Sequence, residues 1–189
     1  MPIVINGTGT VTGISAGGLP SGSLTLAASD MPTGSVIQVQ AVTKSDLFEH
    51  NNDTYTNVTG LTVNITPAST SNKILVQGVI HTSNEGNDMH KIRIARDGTG
   101  ICVGDTLSST VSGLGQWYAY GNLASYSVVP TAVSFLDSPS STSALTYSWQ
   151  VRNQSGSNVV NVNEAAAGSL SSTQKFSAAS TLIVMEIVG

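Results

Sequence analysis

Charge is scarce in this chain, and aromatic rings and cysteine are scarcer. Charged residues make up 10% of the 189 positions, against roughly 25% in an ordinary soluble domain. Seven Lys and Arg against eleven Asp and Glu leave a formal net charge of −4. Nucleic-acid binding needs clustered cations to neutralise phosphates, so no nucleic-acid partner is expected. Cys102 is the one cysteine, which excludes an intrachain disulfide and a thiolate metal cluster. Flanked by Ile101 and Val103, it reads as a small hydrophobe on a strand rather than a reactive thiol. No apolar run approaches the roughly 20 residues of a membrane-spanning helix, so no membrane insertion is expected. The opening MPIVINGTGT has no basic segment followed by an apolar run, so no signal peptide is expected.

What fills the chain instead is small and polar: 27 Ser, 21 Thr, 19 Gly and 13 Asn. A hydrophobic fraction of 40% is still too high for full disorder. The character changes near Val36. Residues 1–35 hold no Lys or Arg, one acid (Asp30), and aliphatic residues in ones, twos and threes: Ile3, Val4, Ile5, Val11, Ile14 and Leu19. Pro20 and Pro32 interrupt any helix. Such a segment exposes too much backbone for the apolar surface it could bury alone. It reads as an extended anchor or stem packing on copies of itself or on a larger particle, reaching roughly 110 Å at 3.3 Å per residue.

Residues 36–189 read as one domain of strands and turns. Ser35 to Val42 alternates aliphatic residues with Gln, and Leu61, Val63 and Ile65 alternate with Thr62 and Asn64. Lys73 to Ile80 is nearly continuous in apolar content and is expected to be a central strand buried on both faces. Lys91 to Arg96 leads into Asp97-Gly98, a two-residue hairpin turn, with Ile101 and Val103 on the return. Leu145, Tyr147, Trp149 and Val151 face one way while Thr146, Ser148, Gln150 and Arg152 face the other. Val159 to Val162 and Thr181 to Val188 complete the set. No apolar stripe of period 3.6 runs for ten residues, so alternating β/α order is excluded. The expected fold is all-β: an antiparallel sandwich, a jelly roll, preceded by the N-terminal stem.

The chemical motifs are weak. Gly13-Ile14-Ser15-Ala16-Gly17 matches the spelling of a nucleophile elbow, but Gly18-Leu19-Pro20 after it cannot begin the required helix. Gly7, Gly9 and Gly13 miss the dinucleotide spacing by one residue. No paired carboxylates stand out for glycoside hydrolysis, so no enzymatic activity, catalytic residue or cofactor is expected. His81, Glu85, Asp88 and His90 are metal-ligand types within ten residues, yet nothing in their spacing fixes them on one face. They read as a solvated or inter-subunit loop, with no metal. Asp46, Glu49, His50 and Asp53 form a second such loop. Trp117, Tyr118, Tyr120 and Tyr126 lie in a weakly charged segment of the kind that binds sugars or protein partners.

Several separate stretches resemble one family. The opening PIVINGTGTVTGISAGGLPSGSL is similar to the N-terminal segment of tail-fibre and other virion structural proteins of marine tailed phages. TGLTVNITPASTSNKILVQGVI, RIARDGTGICVGD, SFLDSPSSTSALTYSWQVRNQSG and STLIVMEIVG resemble the C-terminal domain of the same proteins. The resemblance implies a trimeric jelly-roll head, similar to the tumour necrosis factor-like fold, on an extended trimeric stem. It carries over no catalytic residues. The implied location is the virion, assembled in the host cytoplasm. The implied partners are two further copies of the chain, other virion proteins of tail or capsid, and a host-surface glycan. Recognition is expected in the 81–90 loop and the 114–126 segment. A capsid decoration protein is the alternative within this class, and a free carbohydrate-binding module the alternative outside it.

Overall fold

The computed structural model describes residues 27, 30–84, 88–105, 112–118, 127–154, 158–165 and 176–189. Among these, the regular structure is eleven strands and no α-helix. The strands are β1 (Val36–Lys44), β2 (Phe48–His50), β3 (Thr56–Ile65), β4 (Lys73–Asn84), β5 (Met89–Arg96), β6 (Thr99–Ile101), β7 (Gly115–Tyr118), β8 (Val129–Asp137), β9 (Leu145–Asn153), β10 (Val160–Val162) and β11 (Ser180–Ile187). The stem residues Ile3, Val4, Ile5, Val11, Ile14 and Leu19 lie outside the described set, as do Glu85 and Tyr120.

Two antiparallel sheets form. The front sheet runs β1-β11-β4-β8, with β10 and β2 continuing it beside the far end of β4. The back sheet runs β3-β9-β5, and β7 and β6 share the outer edge of β5 end to end. Count β6 and β7 as one position and set aside the short β2 and β10. The first, last, third and sixth main strands then make the front sheet, and the second, seventh, fourth and fifth the back. Two interlocked Greek keys give this order, so the sandwich is a jelly roll.

Period-two alternation builds the core between the sheets. Tyr147 and Trp149 of β9 point inward and are fully buried, as are Ile92 and Ile94 of β5 and Val76 and Ile80 of β4. Each large side chain withdrawn from water contributes on the order of 3 kcal/mol. Asp97 and Gly98 take positive φ of 50° and 81°, the geometry a two-residue hairpin between twisted strands requires. Gly78 has another role. A Cβ there would lie 2.5 Å from the carbonyl oxygen of Thr181, and that same oxygen accepts the Trp149 indole N–H at 3.0 Å.

Polar bonds pin the sheets together at both ends. Asp137 of β8 is buried and accepts from Arg96 of β5 at 2.5 Å and from the Tyr147 hydroxyl at 2.7 Å. At the opposite end His90 of β5 meets the Thr82 hydroxyl of β4 at 2.9 Å. The chain enters beside β11: the Gly34 amide donates to Val188, and Val188 donates back to Ser35.

Two sequence expectations need correction. Cys102 is not on a strand; it follows β6 in a left-handed conformation, φ 52°, and is half-buried. The strand from Lys73 is central, between β11 and β8, but its two faces differ. Ile74, Val76 and Ile80 are buried whereas Leu75 and Val79 stay half-exposed, because no described strand packs over the outer side of the front sheet.

Candidate functional site

That outer side is the first unusual surface. Cross-strand partners point to the same face of a sheet, so the register reads out its rows. Val39, Met185, Leu75 and Leu136 form one row across β1, β11, β4 and β8. Val36 pairs with Ile187 on one side of this row, and Ala41 with Ile183 on the other. Beyond them Gln77 donates to the Ser134 hydroxyl at 3.4 Å, and Val79 and Ala132 follow. Val36 is 49% exposed, Val39 54% and Leu136 53%. Four strands and about six residues of strand length make a face on the order of 400 Å². The charge within these rows is Lys73 at the margin, whose ammonium is turned to the Ser138 hydroxyl. A broad, charge-depleted apolar face has the composition of an interface core.

The outer side of the back sheet is its opposite. Gln116, Lys91 and Arg152 form a row across β7, β5 and β9, and Arg93 and Gln150 form the next with Asn57 of β3. Arg93 lies over the Tyr55 ring, 3.9 Å from its centre, and donates to the Gln150 amide oxygen at 2.7 Å. Gln150 donates in turn to Asn57 at 2.7 Å. Burial lowers the Arg93 pKa, and burial raises that of the Tyr55 phenol against the pull of Arg93 and Arg152.

The residues singled out from sequence are distributed over this frame. His81 and His90 do not meet on one face: His81 is on the outer side of β4, and His90 faces the core. Burial holds the His90 imidazole near pKa 4, with Asp88 pulling the other way. Asp88 is itself 6% exposed and caps the Met89 amide at 2.7 Å. Among the described residues no group of three or more His, Cys, Asp or Glu is placed to hold a metal. Trp117 and Tyr118 are both exposed on β7, but as strand neighbours they project to opposite sides. His81 and His90 lie on β4 and β5 rather than in a loop, and Tyr118 is registered with Met89, which brings β7 beside the start of β5. The described parts of the two stretches expected to carry recognition thus meet at Met89 and Tyr118.

Sequence reading missed the two faces themselves. The apolar one was signalled by the runs KILVQGVI and TLIVMEIV, which alternate in burial rather than being buried throughout. The polar one depends on which strands become neighbours, and no single stretch records that.

No family model and no curated protein matches the chain. Among solved structures it is similar to the infectious bursal disease virus VP2 subviral particle, with a TM-score of 0.34 and 9% sequence identity. The match covers 80% of this chain and 38% of that one, so the chain spans little more than a third of that protein. A likeness this slight carries no argument about function, and the jelly-roll assignment rests on strand order and register.

Proposed function

We propose that the chain is a non-enzymatic structural protein of a tailed-phage virion, a homotrimeric fibre or spike whose head is this sandwich. The apolar outer face of the front sheet carries the reading. Water is a poor neighbour for Val39, Leu75, Leu136 and Met185 together, and a face with one marginal cation suits burial against its own copies. Residues 1–35, with isolated aliphatic side chains on a Gly/Thr backbone, then form the stem that grips the particle. The resemblance to marine phage fibre proteins supplies the class of particle, and the back sheet is left outward for attachment to a host.

Light scattering on the purified chain tests the assembly. The expected mass is three chains of 19.4 kDa, and Met185→Lys should reduce it to one while leaving the circular dichroism of a β protein intact. A monomeric wild-type mass overturns the proposal. Cryo-electron microscopy of the particle tests location. Threefold density on the tail supports a fibre, density on the capsid lattice replaces it with a decoration protein, and absence from the particle rejects both.

A further inference from the structure

We infer that the outer face of the back sheet binds a carboxylate-bearing sugar between Lys91 and Arg152. Like charges directly across a strand pair destabilise it, yet Lys91 and Arg152 are registered against each other on β5 and β9. Among the described residues neither forms an ion pair. The Arg152 Nε is buried from solvent and, among the described residues, has no hydrogen-bond partner. That buried donor adds to the cost of the site as it stands, and a carboxylate seated between the two cations would relieve their repulsion. Arg93 adds a third cation one row away, so three of the chain's seven Lys and Arg share this face. The Tyr55 ring and the Gln150 amide hold it in place.

The surroundings favour a sugar over a bare anion. Beside Lys91 lies an open cleft of about 260 Å³, lined by Gln116, Ser112, Asp105 and the glycines 104, 113 and 115. That is close to the lower limit for small-ligand sites, roughly 300 Å³. Gln116, whose N–H is turned to Met89 Sδ at 3.1 Å, offers its amide oxygen to ring hydroxyls, and Asp105 accepts from them while repelling a second carboxylate. A Cβ on Gly113 would come within 2.7 Å of the Tyr55 hydroxyl, so the wall stays low on that side. The ligand class is an acidic polysaccharide bearing one uronic carboxylate per bound ring. This extends the host-attachment part of the proposed function and rests on it only for the source of the polysaccharide.

Isothermal titration of the purified full chain with trigalacturonic acid, its methyl ester and inorganic phosphate is the test. Trigalacturonic acid should bind with a Kd on the order of 1 mM or tighter, and the ester should not bind. Lys91→Gln and Arg152→Gln should each weaken binding about tenfold or more, whereas Lys73→Gln on the other sheet should leave it unchanged. Thermal melting of each variant separates lost binding from lost fold. Equal binding of acid and ester, undiminished binding by the folded Lys91→Gln and Arg152→Gln variants, or no binding by wild type overturns the inference. Phosphate binding as tightly as the sugar reduces the site to an anion hole and overturns it as well. Particle location does not enter this measurement, so the attachment chemistry and the virion reading fail separately.

Discussion

His90 is an imidazole with no exposure, bonded through Nε2 to Thr82, and its pKa is lowered from 6.5 to about 4 by burial. The unfolded chain therefore takes up this proton near pH 6.5 and the folded chain only near pH 4. Stability is complete above pH 6.5 and falls as pH drops towards 4, by on the order of 3 kcal/mol in total. Urea midpoints at pH 7, 5.5 and 4 should show the fall, and His90→Gln, which keeps a partner for Thr82 without titrating, should show less of it. Gly78 is a second point of constraint. Gly78→Ala pushes a methyl against the Thr181 carbonyl that receives the Trp149 indole, and overpacking of this kind costs about 1–3 kcal/mol. Thermal unfolding should show a lower midpoint with unchanged strand content. Neither role was legible in the sequence: Gly78 sits unmarked among strand formers, and His90 stood out only as a metal-ligand type, whereas its buried bond to Thr82 depends on what lies across the sandwich.

At the scale of elements, the strands with a local signature, a turn dipeptide or clean alternation, were the legible ones. The β5–β6 hairpin follows from Asp97-Gly98, and β9 follows from eight residues of clean alternation, with Tyr147 and Trp149 turning inward as the pattern requires. β4 was readable as central but not as two-faced, since continuous apolar content has one spelling for a strand buried on both faces and for one with an exposed apolar face. Sheet-to-sheet clamps were not legible at all. Asp137, Arg96 and Tyr147 come from three strands on two sheets, and only the finished topology joins them. Asp137→Ala should cost about 3 kcal/mol by urea denaturation, at the lower end for a buried pair because Arg96 keeps some contact with water. Replacing Asp137 and Arg96 together by Leu and Met should recover only part of that loss, since no unpaired charge is left behind but the buried Tyr147 hydroxyl loses its acceptor.

The whole molecule has an apolar side and an amide- and cation-rich side, set back to back by the sandwich. Chemistry alone therefore orients it: the front sheet suits contact with like copies, and the back sheet suits hydrated ligands. A front-sheet substitution such as Leu75→Glu should alter mass without altering sugar binding per chain, and Arg152→Gln should do the reverse. Light scattering and titration on the two variants check that separation.

Among the described residues β1 has one pairing partner, β11, and their register joins Lys44 to Ser180. At synthesis rates of about 5–20 residues per second, β1 spends on the order of ten seconds on the ribosome before its neighbour exists. β11 also fills the gap between β1 and β4, so the front sheet closes last and all at once. Until then Val39 and Leu75 belong to open strand edges, the condition in which nascent β chains aggregate. Expression yield should consequently rise with slower synthesis at low temperature or with a holdase chaperone, and loss of β11 should leave insoluble chain rather than a smaller soluble domain.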